Sequence, residues 1–491
     1  MTRRFVATLL LVAGLLAGCS TSKPGPPAAA APDLSHSLAA KVTADSMFTH
    51  LRALQAIANA NKGNRADGTP GYDASVDYVA KALRDRGFDV STQPFDRLNT
   101  VSQGKPVLTV AGRSYPVDQA SLLVRTPPGG VTGQPVRPAQ AAGCAAGDYP
   151  SVLPQGAIAV VDDSRCSVVD KQNSAKAKGA VALIVISNAS DRGAPPTLFN
   201  PGYYNQLTMP VAVVDADGGA AVGRATAPVR LVLDTETVKI TTRNVMAQTK
   251  TGAPNEVVMV GTHLDSARDS PGINNSGSGV AAVLETALQL GPLAPVTNAV
   301  RFVFWGSGES GLNGAMDYVF GLDSDQLNNI ALYLNFDMLG SPNAGFFTDD
   351  GDQSGLPGQG VAAADVPEGS AGIERTLSGY LNMAGKRPAD MPLNTRTDYH
   401  PFLVAGVPIG GMNTGASQTK TTVQSRLWGG QSGAAFDPNY LSARDTVENV
   451  NRDALAVMGS GVAFAVGYYA ESIGGVNGVT PHDKRHRTRM P

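Results

Sequence analysis

The stretch Val257-Val258-Met259-Val260-Gly261-Thr262-His263-Leu264-Asp265 decides how the rest of the chain is read. Four consecutive apolar residues predict a strand buried on both faces. The glycine that ends the run hands over to a histidine and, two residues on, a carboxylate. A strand that stops at polar residues is the grammar of an open α/β sheet, where functional side chains collect at the carboxyl ends. A His-x-Asp pair can place an imidazole on a metal while the carboxylate orients the other ring nitrogen. Alone, the pair is more often a hydrogen-bonded couple with no further role.

The same grammar repeats downstream. Gly279 to Leu290 has the pattern of a helix, and Val300 to Trp305 predicts a strand ending at Gly306. Leu332 to Phe336 predicts another, ending at Asp337. From Lys239 to Glu471 strands and helices alternate, which predicts a mostly parallel sheet flanked by helices. His263, the Gly306–Glu309 loop and Asp337 are then expected around one crevice. Upstream, Ala39 to Asn61 predicts a helix with Leu51, Leu54, Ile57 and Ala58 on one face. A second helix, Tyr72 to Arg86, would turn Val76, Tyr78, Val79 and Leu83 inward, with Gly87 as its cap. Between about residues 126 and 238 the texture changes to short buried strands at Ala157–Val161, Val181–Ile186 and Met209–Val214, with a helix over Lys171–Lys178.

At the amino end, Arg3 and Arg4 precede the apolar run Phe5–Leu16, too short to span a bilayer but suited to a signal peptide. Leu16-Ala17-Gly18-Cys19 resembles the lipobox of bacterial lipoproteins. That resemblance implies cleavage before Cys19, lipidation of its thiol, and an exported protein held on the outer face of the cell membrane. The Pro/Ala/Ser-rich residues 20 to about 37 read as a semi-extended tether. In an oxidising compartment the two remaining cysteines, Cys144 and Cys166, are expected to be bridged; the alternative is two buried free thiols. Lys484 to Arg489 reads as a solvated basic terminus.

Composition narrows the chemistry. The 491 residues carry 39 Lys plus Arg against 41 Asp plus Glu, so no basic field exists to hold nucleic acid. At 42% hydrophobic the chain can bury a core, which excludes wholesale disorder. Three cysteines exclude a four-Cys zinc site and a disulfide-dense scaffold. Six histidines, His36, His50, His263, His400, His482 and His486, bound any imidazole chemistry. Gly277-Ser278-Gly279-Val280-Ala281-Ala282 fits a dinucleotide fingerprint in letters, but a long polar loop rather than a strand precedes it.

Several segments in order carry a family resemblance: His263-Leu264-Asp265, Gly272-Ile273-Asn274-Asn275-Ser276-Gly277-Ser278-Gly279, Trp305-Gly306-Ser307-Gly308-Glu309-Ser310-Gly311-Leu312, Asn335-Phe336-Asp337-Met338-Leu339-Gly340-Ser341, Arg396-Thr397-Asp398-Tyr399 and Asp437-Pro438-Asn439-Tyr440-Leu441. Together they resemble the exported di-zinc aminopeptidases of the aminopeptidase Y and aminopeptidase S type. Residues 156–188 and 209–218 resemble the protease-associated domain that some exported peptidases carry as an insert. The resemblance implies a zinc-exopeptidase α/β fold, with signal peptide over 1–19, tether over 20–38, aminopeptidase-like domain over 39–125 and 239–474, protease-associated domain over 126–238, and basic tail over 475–491. It also implies removal of N-terminal residues from peptides, and a protein partner for the inserted domain.

Carried over residue by residue, the resemblance places metal ligands at His263, Asp337 and Glu309, with Asp265 behind the histidine. Arg396, Asp337 and Tyr440 fall at substrate-binding positions, and Tyr440 at the oxyanion-stabilising one. Three positions depart from the family. The bridging carboxylate falls on Asn275, the general base on Gly308, and the last histidine ligand on Leu441. An amide coordinates zinc weakly and supplies no shared negative charge for a closely spaced metal pair. Positioned general bases contribute about 10²–10⁴-fold, and Gly308 has no side chain to act as one. At most one zinc and impaired cleavage are therefore expected, leaving a peptide-binding protein. The alternative is an aminopeptidase that works with one metal or recruits His400 as a replacement ligand.

Overall fold

The computed structural model describes residues 33–187, 195, 197–200, 202–358 and 360–489. The signal segment with Cys19, and the tether as far as residue 32, lie outside the described residues.

Eight strands form one mixed sheet, in the spatial order Val90–Ser102, Glu236–Gln248, Asn298–Trp305, Ala253–His263, Ile330–Phe336, Ile409–Asn413, Phe347–Asp349 and Ala389–Met391. The four strands from Asn298–Trp305 to Ile409–Asn413 are mutually parallel, while both flanks bring antiparallel pairings. The expected parallel sheet is therefore its centre. Val257, Val258, Met259 and Val260 are completely buried, as a strand covered on both faces requires. In register, His263 stands opposite Trp305 and Gly261 opposite Asn335. Parallel strands end at the same edge, so this register brings His263, the loop after Trp305, and Asp337 to one rim.

One face is covered by the helices Ala44–Ala60, Pro70–Asp85, Gly277–Leu290 and Arg452–Glu471, whose Leu51, Val79, Val283 and Val462 enter a common core. The opposite face carries the helices Asn313–Gly321 and His400–Val404 around Trp305, Tyr333 and Phe402. The rings of Tyr333 and Phe402 stack at 4.1 Å.

The long strands Val90–Ser102 and Glu236–Gln248 pair antiparallel and lead out to a second unit. It holds a four-stranded sheet (Arg113–Pro116, Val107–Val110, Val229–Val232, Val131–Gly133). Beside it lies a five-stranded one (Asp118–Gln119, Val211–Val214, Ala182–Ile186, Ile158–Asp162, Pro135–Val136). Cys144 and Cys166 are disulfide-bonded within it. Residues 107–119, upstream of the expected boundary near residue 126, also pair into these sheets.

Two terminal readings also change. Leu34–Ala39, placed in the tether, is a helix capped by the Asp33 side chain and packed on Arg452–Glu471. Gly467 permits the approach, since a Cβ there would lie 2.6 Å from the Ser35 backbone. The basic tail is docked rather than solvated. Arg485 is 5% exposed and donates to the carbonyls of Thr480 and Asn328 while pairing with Glu256. Arg487 donates to the carbonyls of Gly406, Ile330 and Ala331. A guanidinium offers five N–H donors in a plane, enough to cap several carbonyls at once.

Candidate active site

His263 ends its strand nearly buried, at 7% exposure. Its Nδ1 lies 3.0 Å from the Asp265 backbone carbonyl. A carbonyl only accepts, so Nδ1 carries a proton and donates it. Nε2 lies 3.9 Å from Glu309 Oε1. The Asp265 carboxylate was expected to orient the ring, but its nearer oxygen is 3.8 Å from Nδ1. It accepts instead from the amides of Gly308 at 2.8 Å and Glu309 at 3.1 Å. Asp265 is thus the anchor of the loop that carries Gly308 and Glu309, and the chain itself orients the imidazole.

Asp337 is engaged by neutral donors. Its Oδ1 accepts from Thr262 Oγ1 at 2.9 Å and Ser276 Oγ at 2.8 Å, and its Oδ2 from Asn335 Nδ2 at 2.7 Å. The Asn275 side-chain amide donates to Glu309 Oε1. A Cβ on Gly308 would collide with His263 Cβ and stand 2.7 Å from His263 Cγ. Leu441 has a positive φ of 55°, is 41% exposed, and does not line the cavity.

The electrostatics follow from burial among carboxylates. Burial alone would discharge the His263 imidazole, but Asp337, Asp265, Glu309 and Asp398 outweigh it and raise its pKa to about 9. Burial pushes the Asp349 carboxyl up to about 8, with Asp337 and Glu374 adding to the rise. Burial likewise holds Asp398 well above the usual carboxylate range. The Tyr440 phenol is raised to about 12 by burial and by Glu309.

His263, Asn275, Gly308, Glu309, Asp337, Arg396, Asp398, His400 and Tyr440 all line one cavity of about 660 Å³. His400 is half-buried on its wall, and desolvation lowers its pKa. Among the described residues, the acidic or histidine trio whose ligand atoms lie within 4.8 Å of one another is Asp350, Asp352 and Glu374, away from the cavity lining. His263, Glu309 and Asp337 do not form such a trio.

Several supporting residues carry no motif in the sequence. Arg65 is fully buried and donates to the carbonyls of Leu264 at 2.5 Å, Pro271 at 3.0 Å and Gly272 at 2.7 Å, clamping the loop between His263 and Asn275. Asp67, paired with Arg97, accepts from Ser307 and Ser310 on either side of Gly308 and Glu309. Asp445 accepts from the amides of Asn274 and Asn275. Arg65 lies 199 residues from Leu264 and Asp67 lies 240 from Ser307, so no signal local to a motif points to them.

A sheet with parallel centre, site residues at its carboxyl rim, and an inserted β unit define a zinc-exopeptidase-type α/β protein. The sequence profile of peptidase family M28 matches residues 244–466, and that of the PA domain, the protease-associated insert, matches residues 131–222. The chain is 46% identical over 480 residues to the probable lipoprotein aminopeptidase LpqL of Mycobacterium tuberculosis, covering 96% of this chain and 95% of that one. It is 38% identical over 446 residues to an aminopeptidase of Pseudomonas aeruginosa, covering 87% and 81%. The chain therefore belongs to peptidase family M28, the zinc aminopeptidases, and carries a PA domain. Its fold is similar to that of a zinc aminopeptidase from Bacillus subtilis, with TM-score 0.50, 23% identity, and coverage of 90% and 99%. The aminopeptidase from Aneurinibacillus sp. strain AM-1 gives TM-score 0.51 at 21% identity, with coverage of 91% and 98%.

Proposed function

We propose that this chain is an exported lipoprotein, anchored through Cys19, that holds peptide N-termini in an aminopeptidase cavity and cleaves them poorly or not at all. The lipobox and the lipoprotein relative support the anchor; the family supports the peptide ligand. The PA domain is the surface we assign to a protein partner.

The observation that carries the reading is the closure at Gly308. The base is not merely deleted: its space is taken by His263, which leaves no room for a side chain there without movement. The zinc pair that the family implies does not fit this donor set. Asn275 turns an amide N–H, not a carboxylate oxygen, toward Glu309, and Leu441 offers no ligand atom and stands off the cavity. His263, Asp337 and Glu309 remain as donors, for one ion at most. What the cavity does offer is carboxylates for a peptide ammonium, with Arg396 and Tyr440 at its wall.

The test uses the full chain in detergent, with zinc per chain measured by emission spectroscopy and hydrolysis of aminoacyl anilides followed with zinc added. At most one zinc and no turnover are expected. About two zinc per chain with sustained turnover would overturn the reading; one zinc with turnover would favour a one-metal aminopeptidase.

A further inference from the structure

The carboxyl groups left in the cavity outnumber its cationic side chains. Asp349 ends the short strand Phe347–Asp349, is 6% exposed, and lines the cavity. Among the described residues, neither of its carboxyl oxygens takes part in a hydrogen bond or an ion pair, and burial with the nearby charges of Asp337 and Glu374 raises its pKa. Asp398, 1% exposed on the same cavity, has its Oδ1 without a hydrogen-bond partner. A buried carboxyl group without a partner is costly, and a ligand that brings a donor or a counter-charge to it relieves that cost. Glu309 and Asp337 stand on the wall as well, against the cations His263 and Arg396.

The apolar part of the cavity has its own character. Met338, Met391 and Met412 line it. Thioether side chains are flexible and polarisable, and they pack well along unbranched aliphatic stems. A long stem with a cationic tip buries its methylenes on such a wall and carries its charge to the end. Two cationic groups on one residue, the α-ammonium and the side-chain tip, would serve two groups of carboxyls: Glu309 with Asp337, and Asp349, which a cation held beside it would ionise.

We propose that Asp349 is the specificity residue of this cavity and that it selects peptides whose N-terminal residue is lysine or arginine. This rests on the peptide-binding reading and adds to it the class of peptide.

The experiment is calorimetric titration of the full chain in detergent with Lys-Ala-Ala, norleucine-Ala-Ala and cadaverine. Norleucine keeps the stem of lysine and lacks its ammonium. Lys-Ala-Ala should bind about tenfold or more tightly than norleucine-Ala-Ala, and Asp349→Asn should bring the two within about threefold. Equal affinities in the unsubstituted chain would overturn the assignment, and that comparison stands even if the variant does not fold. A lysine preference that survives Asp349→Asn would overturn it too, as would cadaverine binding as tightly as the peptide. Binding of no tripeptide at all would defeat this proposal and the peptide-binding reading together. If the chain proves to cut, only the non-cutting reading falls. The same lysine-to-norleucine ratio, read as KM, would then decide the specificity.

Discussion

A Cβ on Gly308 would meet the Cβ and Cγ of His263, the latter at 2.7 Å, and would stand 3.3 Å from Asp398 Oδ2. The loop that presents Glu309 packs directly against the His263 side chain. The hydrogen bonds that the Gly308 and Glu309 amides donate to the Asp265 carboxylate hold it there. Putting a glutamate at 308 therefore forces the loop or the imidazole to move. Gly308→Glu should cost about 1–3 kcal/mol, the usual cost of overpacking, read from denaturant unfolding. It should not by itself confer anilide hydrolysis. A variant as stable as the parent and newly active would contradict this geometry.

Asn275 and Glu309 form the second relationship with a measurable consequence. The amide of Asn275 donates to the Glu309 carboxylate, so Asn275→Asp sets two carboxylates against each other. Without added metal the variant should lose about 1–3 kcal/mol, the cost of turning a buried donor into a repelling acceptor. A cation between the two would relieve the repulsion, so zinc should raise the Tm of Asn275→Asp more than that of the parent. Leu441→His alone should leave zinc uptake unchanged, because Leu441 is 41% exposed and does not line the cavity.

Arg65 serves the site without touching the cavity. It is completely buried and caps three carbonyls of the loop after His263. Arg65→Met fills much of the volume but leaves those carbonyls without donors. A loss of about 3 kcal/mol or more is expected from unfolding curves, at about 1–3 kcal/mol per unsatisfied group with partial relaxation. A near-neutral result would mean that water replaces the guanidinium.

Asp67 and Arg97 give a pH dependence. Burial raises the Asp67 pKa, but hydrogen bonds from Arg97, Ser307 and Ser310 outweigh it and hold the carboxyl below its ordinary value. The folded state thus favours the ionised carboxylate. The stabilisation is present above the ordinary carboxylate pKa of about 4 and is lost as pH falls through the lower folded value. Asp67→Asn should remove this acid-side contribution. At neutral pH it should cost about 3–5 kcal/mol, because Arg97 stays buried without its partner. Unfolding measured from pH 7 down to pH 3 distinguishes the two effects.

The Cys144–Cys166 bridge closes a segment with a sequence separation of 22 residues inside the inserted unit. Loop-closure entropy for that length gives about 3 kcal/mol. Replacing both cysteines with serine should make the inserted unit cleave faster under limited proteolysis. The sheet that carries His263 and Asp337 should keep its protection.

The sequence by itself determined the sheet and its rim. Apolar runs at 257–260, 300–305 and 332–336 have to be buried on two faces, and parallel strands end together, so His263, Glu309 and Asp337 were bound to meet. It also determined what each position can do chemically: an amide at 275, no side chain at 308, no ligand at 441. How these positions are packed against their neighbours is legible in the folded chain alone. Whether the space at Gly308 stays open or closes onto His263 depends on residues 45 positions apart in the chain. That the Asp265 carboxylate anchors a loop rather than an imidazole depends on where the Gly308 and Glu309 amides point. Arg65, Asp67, Asp349 and the docked Arg485 and Arg487 belong to the same class. Their roles come from partners brought together by packing, and a polar side chain reads the same in sequence whether it faces water or a buried carbonyl.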